Sequence, residues 1–225
     1  MEFEDNEAGG KSIMLFASDA LDDVPESHAD LISPEVRRAF VDPIAYFRKA
    51  AADCPFRTMK SYLTSILKKE SWVLMLHRGN PAEWNSAGFM LFADDVRTIE
   101  ISPASDEVPV DWPPELRKYH SLVGPINWMT FGFAGGLGAT TTPLSDFPYE
   151  FHGMSVDPTR TYIFGDSFCG DMLFYTQDGR GGWFWHETGY LHGLGSIGDT
   201  IEWVYSELLA DRTPEFDYAR LKENL

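Results

Sequence analysis

From Glu35 onward apolar residues recur in steps of three and four, at Val36, Ala39, Phe40, Ile44, Phe47 and Ala51, the spacing of one helical face. Pro43 falls inside this run, so the helix should kink or split there. Met59, Tyr62, Leu63, Ile66 and Leu67 repeat the pattern with Lys60, Lys68 and Lys69 outside it, which predicts a second amphipathic stretch. The period then changes. WVLML at 72–76, GFMLF at 88–92 and VRTIEI at 96–101 are short apolar or alternating runs, with ADD at 93–95 as a turn, and they predict an antiparallel meander.

Residues 102–111, SPASDEVPVD, predict a loop. Asp111 can cap a short helix whose first turn accepts Pro113 and Pro114, and Leu116, Tyr119, His120 and Val123 share its face as far as Gly124-Pro125. Residues 124–160 are dense in Gly, Pro and Thr, so loops and edge strands are expected there. TYIF at 161–164, DMLFY at 171–175 and GWFWH at 182–186 predict strands, with Asp178-Gly179 turning between the last two. Alternation puts Trp183 and Trp185 on one sheet face and Phe184 on the other. A closing helix is predicted with Asp199 as N-cap, Glu202 completing a capping box, and a stripe of Ile201, Val204, Tyr205, Leu208 and Leu209.

These elements divide the chain into an acidic, partly ordered lead-in at 1–34, a helical and β-hairpin part at 35–101, a main unit at 102–212 and a C-terminal tail at 213–225. The 225 residues suffice to bury a large core, and 44% apolar with 14% aromatic content is globular. No run approaches the roughly 18 apolar residues of a membrane span. The acidic opening MEFEDNEAGGK is unlike an export signal, so a cytoplasmic location is expected.

Charge narrows the range of partners. The net charge is −17, which argues against direct binding to nucleic acid or anionic membranes and favours a basic protein partner. The charge is uneven: residues 36–69 carry eight bases and two acids, against ten acids and one base in residues 1–35. The basic stretch is expected to be the solvated face of helices on an acidic body.

Candidate chemistry concentrates in GDSFCGDMLFYTQDGRGGWFWHETG, Gly165–Gly189. A nucleophilic Cys169 would need a neighbouring cation or a helix N-terminus, yet Asp166 and Asp171 bracket it and would raise its pKa. Cys54 and Cys169 lie far apart in no C-x-x-C arrangement, so small buried side chains are expected at both. His186, Glu187 and His192, with His152, Asp166 and Asp171, offer zinc-type ligands, but the spacing HExxxxH is not HExxH. FAGGLGATTTP at 133–143 lacks the lysine of a phosphate loop. Asp166 and Asp171 could form an acid–base pair, although aspartates beside Gly165 and Gly170 also suit turns. No catalytic set, metal or cofactor is therefore expected. Asp166, Asp171, Asp178 and Glu187 are the candidates for an exposed edge that a basic partner could meet.

The order of the C-terminal pieces is familiar. WPPELRKYHSLVGPIN at 112–127, the strand–Gly-Asp–strand–turn–strand run FGDSFCGDMLFYTQDGRGGWFWHETG and the closing GDTIEWVYSELL together resemble the SUKH superfamily of bacterial immunity proteins and fungal cell-wall-synthesis regulators. The first helix ends here in Gly-Pro-Ile-Asn where the family has Asn-Gly. The resemblance implies an α+β fold, a SUKH-like twisted antiparallel sheet wrapped by helices over 102–212, preceded here by a helical and hairpin elaboration. It also implies a non-catalytic protein that binds another protein, typically a cognate bacterial toxin and often a nuclease. A regulatory or scaffold protein of the same fold is the alternative, and a hydrolase using His186 and Glu187, with or without zinc, is the third reading.

Overall fold

Proline ends the first helix. The computed structural model describes residues 2–5, 10–15, 24, 26, 32, 34–67, 73–78, 85–92, 97–104, 108–130, 133–167, 170–210 and 212. Helix α1 spans Pro34–Val41 and α2 spans Pro43–Asp53. Pro43 has no N–H to continue α1, and Asp42 turns its carboxylate onto the N–H of Ala45 at 2.9 Å to cap α2. Helix α3, Arg57–Ile66, buries Met59, Tyr62, Leu63 and Ile66 at the spacing the sequence predicts.

The strands are β1 (Glu2–Asp5), β2 (Gly10–Leu15), β3 (Val73–Arg78), β4 (Asn85–Phe92), β5 (Arg97–Ile101), β6 (Ile126–Thr130), β7 (Phe133–Pro143), β8 (His152–Gly153), β9 (Thr161–Asp166), β10 (Met172–Thr176), β11 (Arg180–Trp185) and β12 (Tyr190–Ser196). Among the described residues they form one sheet in the order β1-β2-β3-β4-β5-β6-β7-β9-β10-β11-β12-β8. Every pairing is antiparallel except that of β8, which runs parallel to β12 at the far edge. The fold is α+β, a twisted, mostly antiparallel sheet packed by helices. Part of the 1–34 segment contributes β1 and β2, and β5 pairs with β6 across the 101/102 boundary. The turn at 93–95 and the tail at 213–225 lie outside the described residues.

Two expectations fail for identifiable reasons. Residues 133–143 form β7, the longest strand, running inside the sheet between β6 and β9. Its glycines lowered its strand propensity, but they admit the neighbouring backbone: a Cβ on Gly136 would lie 2.4 Å from the Ile126 carbonyl oxygen. Helix α4, Pro114–His120, starts from Pro113 with no side-chain cap, so Asp111 does not hold it.

Helix α5, Ile197–Leu209, is capped one turn earlier than expected. Ser196 is the N-cap; its hydroxyl accepts from Asp199 N–H at 3.1 Å, and the Asp199 carboxylate accepts the Ser196 N–H at 2.8 Å. Asp199 is thus the reciprocal member of the box. Glu202 is thereby released to act on another helix. Its carboxylate accepts the N–H groups of Arg57, Thr58 and Met59, the last two at 2.5 and 3.3 Å. These are the orphan donors of α3, whose own N-cap, Phe56, offers no side-chain acceptor.

One face of the sheet carries the helices. Trp183, Leu173, Tyr175 and Phe164 meet Ile201, Val204, Tyr205, Leu63, Phe47 and Leu116 in a core drawn from both sides of the 101/102 boundary. The other face of β9–β12 is covered by the 144–156 segment, where Phe174, Phe184 and Leu191 pack with Leu144, Phe151 and Met154. The predicted alternation of Trp183 and Phe184 follows this division. Gly181 lets α5 sit on β11, since a Cβ there would lie 2.2 Å from Thr200 Oγ1. Among the described residues no helix is long and apolar enough to cross a membrane.

Glu202→Ala should lower the unfolding free energy by about 2–3 kcal/mol, because three helix-end donors lose a charged acceptor. Glu202→Gln should cost less, since one carbonyl oxygen remains. Urea unfolding checks both, and an unchanged midpoint for the alanine variant would mean that solvent caps α3 equally well.

Candidate functional site

Antiparallel pairing decides which residues of Gly165–Gly189 share an end of the sheet. The 167–171 loop joins β9 to β10, and the 186–189 turn joins β11 to β12, so both emerge at one end. Asp166, Asp171, His186 and Glu187 therefore lie together. Asp178 sits in the β10–β11 turn at the opposite end of β11, about 20 Å away at the usual strand rise. The four predicted contact residues do not form one edge.

Their environments differ as well. Asp171 is 1% exposed. Its Oδ1 accepts the backbone N–H of His186 at 3.1 Å and lies 2.7 Å from His186 Nδ1. This burial removes Asp171 from any exposed contact surface. Asp178 is exposed but locally committed: the Thr176 hydroxyl donates to it and Arg180 Nε lies 3.0 Å away. Those two partners, the hydroxyl first, hold its carboxyl below the usual range. Asp166 keeps exposed surface while its Oδ1 accepts the Gly136 N–H at 3.1 Å, and loss of solvent around it raises its pKa. Glu187 is fully in the exposed class, on the turn beyond β11.

Local backbone geometry builds this end. Ser167 N–H donates to the Asp171 carbonyl at 2.7 Å, and Gly170 N–H donates to the Ser167 carbonyl at 3.1 Å. Gly170 takes φ +90°, and the His186 ring packs so close that a Cβ would lie 3.3 Å from its Cε1. The positive φ favours glycine, and a side chain there would also have to displace the His186 ring by a few tenths of an ångström. A carboxylate oxygen accepts, so the contact with Asp171 favours a proton on Nδ1 of His186. The His186 side chain retains 28% exposure. Such a pair orients an imidazole for proton transfer or for a hydrogen bond to a partner.

Two contributors were not legible in the sequence. Glu150 is exposed, and its carbonyl lies where a Cβ on Gly189 would come within 2.0 Å, which brings the 149–151 segment against the Glu187 turn. Tyr149, 37% exposed, is held edge-on against Phe184 with ring centroids 5.2 Å apart. The signal available was FPYEF, an acid between aromatics, but only the return of 144–156 beneath the sheet places it here.

The metal-type residues disperse. His192 lies opposite Trp183 in the β11–β12 ladder, and loss of solvent lowers its pKa. His152 is exposed at the β8 edge. Among the described residues no three His, Cys, Asp or Glu side chains converge as a metal site would need. Cys54 is buried, its thiol pKa is raised by burial, and it donates to the Phe56 carbonyl. Cys169 lies outside the described residues.

No family model, curated protein or solved structure matches this chain.

Two outcomes follow from the buried titratable groups. Asp171→Asn should cost about 1–3 kcal/mol, as a buried acceptor of two N–H donors is weakened, and should shift the His186 tautomer balance away from Nδ1–H. Nitrogen NMR couplings of the ring read that balance directly. His120 is 3% exposed and its Nε2 has no hydrogen-bond partner among the described residues. Burial lowers its pKa to about 4. The folded state therefore prefers neutral His120, and its stabilising effect is complete above the unfolded pKa, about 6.5. As pH falls toward 4 the unfolded chain takes up a proton that the fold refuses, and up to roughly 3 kcal/mol is lost. His120→Leu should flatten this part of the stability–pH curve, and an unchanged slope would assign the acid sensitivity elsewhere.

Proposed function

We propose that this protein is a non-catalytic, cytoplasmic immunity protein that neutralises a cognate basic bacterial toxin domain, of nuclease type, by covering its cationic surface. The observation that carries the reading is the end of the sheet where Asp166, Glu187 and Glu150 are exposed beside the anchored ring of Tyr149. Carboxylates steer a basic partner and set the encounter rate, while a rigid aromatic supplies contact area at small entropic cost. The net charge of −17 and the SUKH-like order of elements over 102–212 support the same reading. Asp171 then serves to fix the loop beneath this surface.

The Asp171–His186 pair is the one observation that favours the hydrolytic alternative. In that reading Asp171, and not Glu187, is the carboxylate that orients the His186 imidazole. His186→Gln separates the two, since a blocking protein keeps its protective effect without the imidazole and a hydrolase loses its activity.

Coexpression with the product of the neighbouring gene, followed by copurification and a growth assay, tests the proposal. Capture of a basic partner and rescue of growth are expected. Glu150→Lys with Glu187→Lys should slow association by about tenfold at low salt and less at high salt, because the steering charge is reversed. The absence of both capture and rescue would overturn it.

A further inference from the structure

Among the described residues of this chain of net charge −17, a concave site is lined by cations from two helices. A cleft of about 500 Å³ opens between α1 and α2 on one side and the 102–104 segment with the end of α4 on the other. Arg38 of α1 and Lys49 of α2 stand at it, with Asp53, Tyr46 and Ser121, over a floor that includes Ala50 and Leu122. Tyr46, Lys49, Ala50 and Asp53 follow the i, i+3, i+4, i+7 spacing of one face of α2, on which Ala50 is buried with Phe47 and Ala51 while Lys49 and Asp53 are exposed. An ordinary solvated stripe would have the same spacing. The opposite wall makes the difference.

That wall is fixed in place. The Ala104 N–H donates to Tyr46 Oη at 2.6 Å. Ser102 N–H donates to the Pro125 carbonyl at 2.8 Å, and Gly124 N–H returns to the Ser102 carbonyl at 2.9 Å. A Cβ on Gly124 would lie 2.4 Å from the Pro103 carbonyl oxygen, so the two segments touch without room to slide. Ser121 Oγ donates to the Lys118 carbonyl at 2.8 Å. The concavity is therefore preformed, and its volume falls within the range of small-molecule sites.

We propose that this cleft binds a small organic anion, a phosphorylated or carboxylated metabolite, at Arg38 and Lys49. Guanidinium and ammonium groups receive the anionic head. Asp53 accepts from a hydroxyl or amine further along the ligand, and the Tyr46 ring, Ala50 and Leu122 cover its carbon skeleton. The site goes beyond the protein-blocking function, because it draws on the helical layer and not on the acidic end of the sheet.

Titration calorimetry of the full chain with inorganic phosphate, ribose 5-phosphate, ribose and citrate tests this. Saturable binding of ribose 5-phosphate but not ribose is expected if the head group is a phosphate, and of citrate if it is a carboxylate. In either case Arg38→Ala with Lys49→Ala should weaken binding at least about tenfold. Both positions are exposed, and circular dichroism checks that the double variant stays folded. Asp53→Asn should tighten inorganic phosphate by about threefold as a repelling charge disappears, a gain that partial unfolding cannot imitate. No saturable binding of any probe at millimolar concentration, binding that survives the double substitution, or, where phosphate binds, an unchanged phosphate affinity in Asp53→Asn would each overturn the proposal.

Discussion

The carboxylate of Glu202 on the start of α3 is the contact on which the two halves of the chain depend. A helix exposes unsatisfied N–H donors at its first turn, and Phe56 at the N-cap of α3 cannot meet them. The acceptor instead arrives from α5, some 145 positions later in the chain. An anion at a helix N-terminus also meets the positive end of the helix dipole. Because the contact is between helices, it sets the position of α3 along α5. It thereby seats Tyr62 against Tyr205, with ring centroids 5.4 Å apart. Helix α2 packs on α3 and also lines the cationic cleft.

The sheet reaches its partners through missing side chains. Gly181 admits the first turn of α5, and Gly136 admits the backbone of β6. Gly189 admits the carbonyl of Glu150 and so determines which acidic residue stands beside Glu187. At each position the smallest residue transmits the arrangement, and any larger one would push the layers apart by more than a core tolerates. The same economy explains why the Gly165–Gly189 stretch looks chemically rich while most of its polar groups are structural. Asp171 is consumed in holding His186, and Asp178 in pinning its own hairpin through Thr176 and Arg180.

Much of the candidate surface was legible as residue types and little of it as position. Asp166 and Glu187 could be singled out because acids between strands at turns are exposed more often than not. Asp171 has the same sequence character, yet its place just before β10 aims it at the backbone of His186, which lies fifteen residues further on. Period and composition carry no information about a contact of that kind. Asp178 belongs to the same stretch but, one strand length away, to the opposite end of the sheet. Tyr149 and Glu150 reach the surface only because 144–156 folds back under β9–β12.

The sequence alone determined the helices of 34–66 and 197–209 and the strands flanking the Asp178-Gly179 turn, because local spacing, proline and turn glycines act over a few residues. It also determined the net charge of −17 and its uneven spread along the chain. The tertiary structure decided that 133–143 is an inner strand, that Glu202 caps α3 and that Asp171 is buried. Each of those outcomes turns on what stands opposite a residue across another element, and a one-dimensional pattern holds no term for the space between two segments of chain.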